Sequence, residues 1–301
     1  MNPTQYDVII IGGSYAGLSA AMALGRSLRK TLIIDSGKPC NEQTPHSQNF
    51  LTQDGKSPKE ISALAKSQVS RYETVEFLDG KAVSAKKTDF GFEIEIEDGE
   101  QFNSKKLIVA TGILDEIPDI KGFKESWGIS LIHCPYCHGY EYRGKKTGII
   151  ANGDKAFHIS SLVKNLTDNV TVLTRGKAEF SEEQLEKLKN NKIEIIETEI
   201  TELKHENGYV KSLIFEDGKE IDFKAVYGAF LFAQHSYIPE NLGCELTEFG
   251  HVKTDLFQKT NVAGIFVCGD NSSVMRSVAN AVLTGNVAGV MANMELVRDC
   301  F

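Results

Sequence analysis

The sequence predicts an α/β fold of two three-layer domains, the second inserted in the first. Three observations carry that expectation: a strand–glycine turn–helix–strand unit at the start, a second unit of the same plan from Gly148, and a return to strand-plus-glycine chemistry at Gly264. Each pairs a short apolar run of strand length with a glycine-bearing turn, the pattern of alternating strands and helices that gives a parallel sheet covered on both faces.

Tyr6 to Ile11 reads as a buried parallel strand running straight into Gly12-Gly13-Ser14-Tyr15-Ala16-Gly17. Leu18 to Leu28 has small and apolar residues at helical spacing, and Thr31 to Ile34 is a second strand ending at Asp35, 18 residues after Gly17. A glycine turn followed by a helix and an acid at this distance is a dinucleotide-binding arrangement. Gly12 allows the sharp turn, Gly17 lets the helix approach the strand, and helix-start N–H groups would hold a pyrophosphate. Asp35 would accept from ribose hydroxyls. Ser14 replaces the usual middle glycine; its small side chain still permits close phosphate approach.

The plan recurs. Gly148 to Ala156 opens a strand–turn–helix unit, and Val170 to Thr174 supplies its second strand. Phe92 to Glu97 runs into a turn at Asp98-Gly99, followed by Leu107 to Gly112; Leu213 to Glu216 runs into Asp217-Gly218, followed by Ala225 to Phe232. This duplication predicts two Rossmann-like domains. Ser181 with Gln184 makes a capping box for a helix through Leu188. In the last segment Gly264 to Cys268 leads into Gly269-Asp270, and Ser277 to Leu296 reads as a helix rich in small residues. The expected layout is residues 1–115 with 242–301 as the outer domain and 116–241 inserted, with Ile117-Pro118 and Ile238-Pro239 as crossing points.

The chain has 301 residues, 41% hydrophobic and 25% charged, with a net charge of −8. That acidity argues against a nucleic-acid partner, because phosphate backbones are repelled. No apolar run reaches the ~18 residues that span a bilayer, and the start has no secretory pattern, so the cytoplasm is the expected compartment. Of the six cysteines, Cys40, Cys134, Cys137, Cys244, Cys268 and Cys300, only Cys134 and Cys137 are close in sequence. Such scatter points to a local redox or metal pair rather than a secreted disulfide framework. Cys40, Cys244 and Cys268 read as buried small residues, and Cys300 as incidental.

Cys134-Pro135-Tyr136-Cys137 lies between His133 and His138. Two thiols so spaced let one attack a substrate sulfur while the other resolves the mixed disulfide. The thiolate is the nucleophile, and His133 and His138 are candidate bases by adjacency. Zinc ligation is the bland alternative, but four ligands on so short a loop rarely reach one tetrahedron; no metal is expected. Glu141 reads as solvated, and His46 and His235 as ordinary surface or core histidines.

In order along the chain, Gly12-Gly13-Ser14-Tyr15-Ala16-Gly17, Ala110-Thr111-Gly112, Cys134-Pro135-Tyr136-Cys137 and Gly269-Asp270 resemble the low-molecular-weight thioredoxin reductase family of flavoproteins, over nearly the whole length. The resemblance implies FAD in the outer domain, a nicotinamide-binding inserted domain and a homodimer. It implies that Asn49, Asp270 and Val278 lie along FAD, with Thr111, Gly112 and Gly269 in the matching motifs. It implies further that Cys134 exchanges with substrate, that Cys137 faces the flavin, and that His138 shuttles the proton.

Two departures stand out. The family usually has an acid directly after the second cysteine, where this chain has His138. The run Cys134-Pro135-Tyr136-Cys137-His138-Gly139-Tyr140-Glu141 is more similar to the dithiol oxidases that close disulfides in gliotoxin- and holomycin-type metabolites, which implies transfer of electrons from a small dithiol to oxygen. In the inserted domain Ala151 replaces the first glycine ahead of Gly153, and the paired arginines that grip a 2′-phosphate are missing; only Arg175 and Lys177 remain. NADPH is thus expected at a weakened site. The leading expectation is FAD-dependent oxidation of a small dithiol by oxygen; the alternative is an NADPH-dependent reductase of a thioredoxin-like protein.

Overall fold

A computed structural model describes residues 5–301; the expected domain start at residue 1 lies outside the described residues. The chain divides into two compact units: unit 1 holds the chain up to Glu42, Phe50–Leu114 and Ala233–Phe301, and unit 2 holds Gln43–Asn49 and Asp115–Phe232.

Unit 1 begins with β1 (Gln5–Ile11), α1 (Tyr15–Arg26), β2 (Thr31–Asp35), α2 (Pro58–Val69), β3 (Val75–Asp79), β4 (Ala82–Thr88), β5 (Gly91–Ile96), β6 (Gln101–Val109) and β7 (Ile113–Asp115). Unit 2 follows with α3 (Phe123–Ser126), β8 (Leu131–Ile132), α4 (Pro135–His138), a 3₁₀ turn (Tyr140–Tyr142), β9 (Thr147–Ile150), α5 (Gly153–Lys164), β10 (Val170–Leu173) and α6 (Glu182–Asn190). It continues through β11 (Glu194–Ile196), β12 (Ile200–Glu206), β13 (Tyr209–Phe215), β14 (Glu220–Asp222) and β15 (Ala225–Gly228), and β16 (Phe232–Gln234) carries the chain back into unit 1. The return to unit 1 adds α7 (Ile238–Asn241), β17 (Ile265–Val267) and α8 (Val278–Cys300).

In unit 1 the parallel order β3-β2-β1-β6 is extended on β6 by parallel β17 and by the antiparallel β5–β4 hairpin. The β1 residues Val8, Ile9 and Ile10 are buried without residue, as a strand covered on both faces requires. Helices α1 and α8 share one face, where Leu18, Ala20, Leu24, Ala288, Ala292 and Leu296 form the core. Their close approach needs glycine: a Cβ at Gly285 would stand 2.1 Å from the Ala16 carbonyl oxygen, and one at Gly289 2.5 Å from that of Ala20. Unit 2 has an all-parallel sheet, β11-β10-β9-β15-β8, and a three-stranded antiparallel sheet, β12-β13-β14. Its larger aromatics, Phe123, Phe215 and Phe223, fill the space beside these sheets.

Two expected boundaries move. Residues 233–241 group with unit 1, not with the insert, because Ile238 packs with Cys244 and Val252 in the core of unit 1. The crossings therefore fall at Leu114/Asp115 and Phe232/Ala233, ahead of the two proline dipeptides. Residues 43–49, Asn49 among them, group with unit 2, where Gly128 abuts Gln43 and Thr44. The run Ala225 to Phe232 is not one strand; it breaks after Gly228 and resumes at Phe232. Helix α8 runs past Leu296 to Cys300, its end held by the Asp299–Lys106 ion pair at 2.9 Å. Cys40, read as buried, is exposed in the irregular segment after β2, whereas Cys244 and Cys268 are buried. Among the described residues no helix is long and apolar enough to cross a membrane.

Candidate active site

Cys134 and Cys137 are joined by a disulfide, with their Cα atoms 5.3 Å apart. Pro135 starts α4, whose missing N–H suits a first helical position. Cys134 is its N-cap, and its Sγ accepts the Cys137 backbone N–H at 3.1 Å. Gly139 follows because nothing larger fits: a Cβ there would lie 2.3 Å from the Pro135 carbonyl oxygen and 2.4 Å from Leu166 Cδ1. Tyr227, buried below Gly139, has its phenol pushed up by burial, and Tyr142 is pushed up to about 12 by the same cause.

His138 closes α4. Its Nδ1 is buried without a hydrogen-bond partner, and burial pushes its pKa below the usual histidine value, so the ring is neutral near pH 7. His133 precedes Cys134 and lies 6.0 Å, ring to ring, from Trp127. Trp127, the one tryptophan of the sequence, donates its indole N–H to Asp115 Oδ2 at 3.3 Å.

In unit 1 the first glycine turn has the shape of a dinucleotide cradle. Gly12 has φ +103°, and a Cβ there would lie 2.3 Å from the Ala110 carbonyl oxygen. A Cβ at Gly17 would collide with the Gly12 carbonyl oxygen. Gly13 donates its N–H to Asp35 Oδ1 at 3.0 Å, which fixes the acid against the turn and leaves Oδ2 for a ribose hydroxyl. Ser14 is the N-cap of α1 and makes no side-chain cap bond. The loops Thr111-Gly112 and Gly269-Asp270 stand nearby in the same unit: Asn271, fully buried, reaches Val109 O at 3.3 Å and Thr111 Oγ1 at 3.4 Å. Gly269 donates to Thr284 Oγ1 at 3.0 Å, tying that loop to α8 just after Val278. Asp270 faces Arg276 at 3.8 Å. These residues fit an FAD: a backbone bared by glycine, an acid at the end of β2, and a buried amide oxygen on Asn271 that no protein atom satisfies.

The second glycine turn, in unit 2, is tied to the loop after β10. Asn152 Oδ1 accepts from Gly153 N and from Glu179 N, each at 2.9 Å, while its Nδ2 donates to Lys177 O at 2.9 Å. Arg175, at φ +53°, donates through Nε to Glu199 Oε2 at 3.1 Å. Asn49 is exposed at φ +59°. Among the described residues no group of three or more His, Cys, Asp or Glu is placed to hold a metal ion. Asn271, Glu199 and Trp127 lie in no spacing pattern, and Asn152, within the second glycine turn, carries no sign in the sequence of its bonds to Lys177 and Glu179.

The profile of the family described as pyridine nucleotide-disulphide oxidoreductase matches residues 6–285. The chain belongs to this family. As a pyridine nucleotide-disulphide oxidoreductase it is similar to the thioredoxin reductase tcpT of Claviceps purpurea, 37% identical, with 97% of this chain and 95% of that one covered. It is similar also to the thioredoxin reductase sirT of Leptosphaeria maculans, at 32% identity over 97% and 95% of the two chains. The crystal structure of an oxidoreductase from Agrobacterium tumefaciens superposes with a TM-score of 0.92 at 36% identity, covering 98% of this chain and 99% of that one.

Proposed function

We propose that this oxidoreductase is an FAD-dependent thiol–disulfide enzyme that oxidises a small dithiol, with dioxygen as the final acceptor. The observation that carries this reading is the Cys134–Cys137 disulfide followed directly by His138, a half-buried neutral base in place of an acid.

The chemistry at the cysteines balances as follows. A substrate thiol attacks Cys134 Sγ, the Cys134–Cys137 bond breaks, and Cys137 leaves as a thiolate. His138 takes the proton of the attacking thiol. The second substrate thiol then attacks its own partner sulfur in the mixed disulfide, releasing a disulfide product and returning its proton to Cys134. FAD, when bound, supplies the two-electron acceptor that restores the cysteine disulfide and delivers the electrons to oxygen as hydrogen peroxide. Gly12, Ser14, Gly17 and Asp35 would hold its pyrophosphate and ribose, with Thr111, Gly112, Gly269, Asp270, Val278 and Asn49 along it. A cytoplasmic homodimer is the assembly proposed.

A second reading, an NADPH-driven reductase of a thioredoxin-like protein, is favoured by the intact two-unit plan and by the names of the relatives. Against it, Arg175 is engaged by Glu199, and Asn152 clasps the loop at the start of α5. An anaerobic stopped-flow mix of oxidised enzyme with NADPH separates the two. Flavin bleaching within seconds supports the reductase. No bleaching within minutes, with peroxide formed from dithiols in air, supports the oxidase.

A further inference from the structure

The redox turn is flanked by two side chains that its architecture does not use. Tyr136 lies between the two cysteines on α4 and is 70% exposed; Tyr140 lies three residues after Cys137 and is 66% exposed. The other tyrosines of this region, Tyr142 and Tyr227, serve the fold: one donates to Ile129 O at 2.9 Å, the other is fully buried. Tyr140 is nevertheless held in place. The Arg143 guanidinium covers its ring at 4.0 Å from the centroid, and Arg143 Nη1 donates to the Tyr140 carbonyl oxygen at 2.7 Å. A surface ring clamped by a cation is preorganised, so stacking on it costs little further ordering. The charges beside it, Glu141 and Arg143, offset one another, which disfavours a strongly charged ligand.

We propose that Tyr136 and Tyr140 are recognition residues that select a dithiol carrying a flat, uncharged ring. This rests on the dithiol-oxidising reading and adds the substrate class to it. Offset stacking of rings is worth roughly 0.5–1.5 kcal/mol beyond area burial, which corresponds to about a two- to tenfold preference. A purely aliphatic dithiol gains nothing from the rings.

The test compares 1,2-benzenedimethanethiol with dithiothreitol on the FAD-loaded enzyme in air. The ratio of their kcat/KM values is read for the wild type, for the double variant Tyr136→Ala/Tyr140→Ala and for the double variant to Phe. The Ala pair is expected to cut the aromatic preference by about three- to tenfold and the Phe pair to keep it. Calorimetric titration of the oxidised enzyme with the cyclic disulfides of the same two compounds reads recognition without turnover, and should show the same loss. An unchanged ratio and unchanged calorimetric affinity in the Ala pair overturn the proposal. So does a loss seen only with a thioredoxin-like protein as substrate. Failure of the wild type to oxidise either dithiol sinks the functional reading instead, and the calorimetry still decides whether the rings bind.

Discussion

The backbone N–H of Cys137 points at Sγ of Cys134, 3.1 Å away. The two cysteines are therefore unequal. Cys134 caps α4, where the first-turn N–H groups and the helix dipole favour a thiolate; Cys137 lies inside the turn. The expected outcome after reduction is that Cys134 is alkylated before Cys137. Peptide mapping after a limiting dose of iodoacetamide reads the order. Cys134→Ser should keep a bound yellow FAD and lose thiol turnover; Cys137→Ser, which has no disulfide for a substrate thiol to attack, should lose turnover as well.

Burial of His138 and His251 sets a pH dependence of stability. Both pKa values are pushed below the ordinary histidine value by burial, with Arg276 adding to the effect on His251. The unfolded chain then binds more protons than the folded one once pH falls below about 6.5. Stability from these groups is complete above that value and is lost as pH falls toward the folded pKa, below which the slope vanishes. The urea midpoint should drop between pH 7 and 5. His138→Gln should flatten the curve; an unaltered slope would show that burial does not shift this histidine.

How much of this was legible depends on the range of the cause. The β1–turn–α1–β2 unit is local, and Gly12, Gly17 and Asp35 fall where their spacing put them. The Ser181/Gln184 capping box forms as read, and an identical signal at Ser57 and Glu60 was there to be seen. What spacing cannot carry is tertiary. The apolar run from Ala225 to Phe232 gives no sign of where it breaks, yet Ala229 to Leu231 lie between β15 and β16. Asn271 is buried by strands that come from Val109 and from Gln234, which donates to the Asn271 carbonyl at 3.0 Å. Asn152 looks like an ordinary helix cap until its loop closes on Lys177 and Glu179. Cys40 is exposed, and a small residue type says nothing about which loops are covered.

Gly285 makes the packing of α8 on α1 testable. An added methyl meets the Ala16 carbonyl oxygen at 2.1 Å, which a backbone cannot yield locally. Gly285→Ala should cost about 1–3 kcal/mol of unfolding free energy. It should also weaken FAD retention, because Ala16 sits in the first turn of the helix that carries Ser14 and Gly17. Thermal melts and the flavin-to-protein absorbance ratio of the purified variant measure the two effects.

Trp127 reports on the redox turn without a label. Its ring lies 6.0 Å from that of His133, next to Cys134, and no second tryptophan competes. Trp127 emission should therefore respond to what stands at position 133. His133→Gln should change the intensity or the wavelength of its maximum. An identical spectrum in that variant would show that the ring contact does not shape the emission.

The last prediction concerns the second glycine turn. The Arg175–Glu199 pair is partly exposed on both sides, 31% and 46%, and such pairs are worth no more than about 1 kcal/mol. Releasing Arg175 by Glu199→Gln should therefore change NADPH-driven flavin bleaching by less than about fivefold. Asn152 joins two loops more firmly: its amide holds Lys177 and Glu179 across the start of α5 by hydrogen bonds in both directions. Asn152→Gly removes the clasp, and the expected result is a larger gain in NADPH affinity than Glu199→Gln gives, with the double variant exceeding either. Anaerobic stopped-flow traces at several NADPH concentrations supply the comparison. If the ion-pair variant speeds bleaching more than Asn152→Gly does, charge engagement rather than loop closure governs nucleotide access.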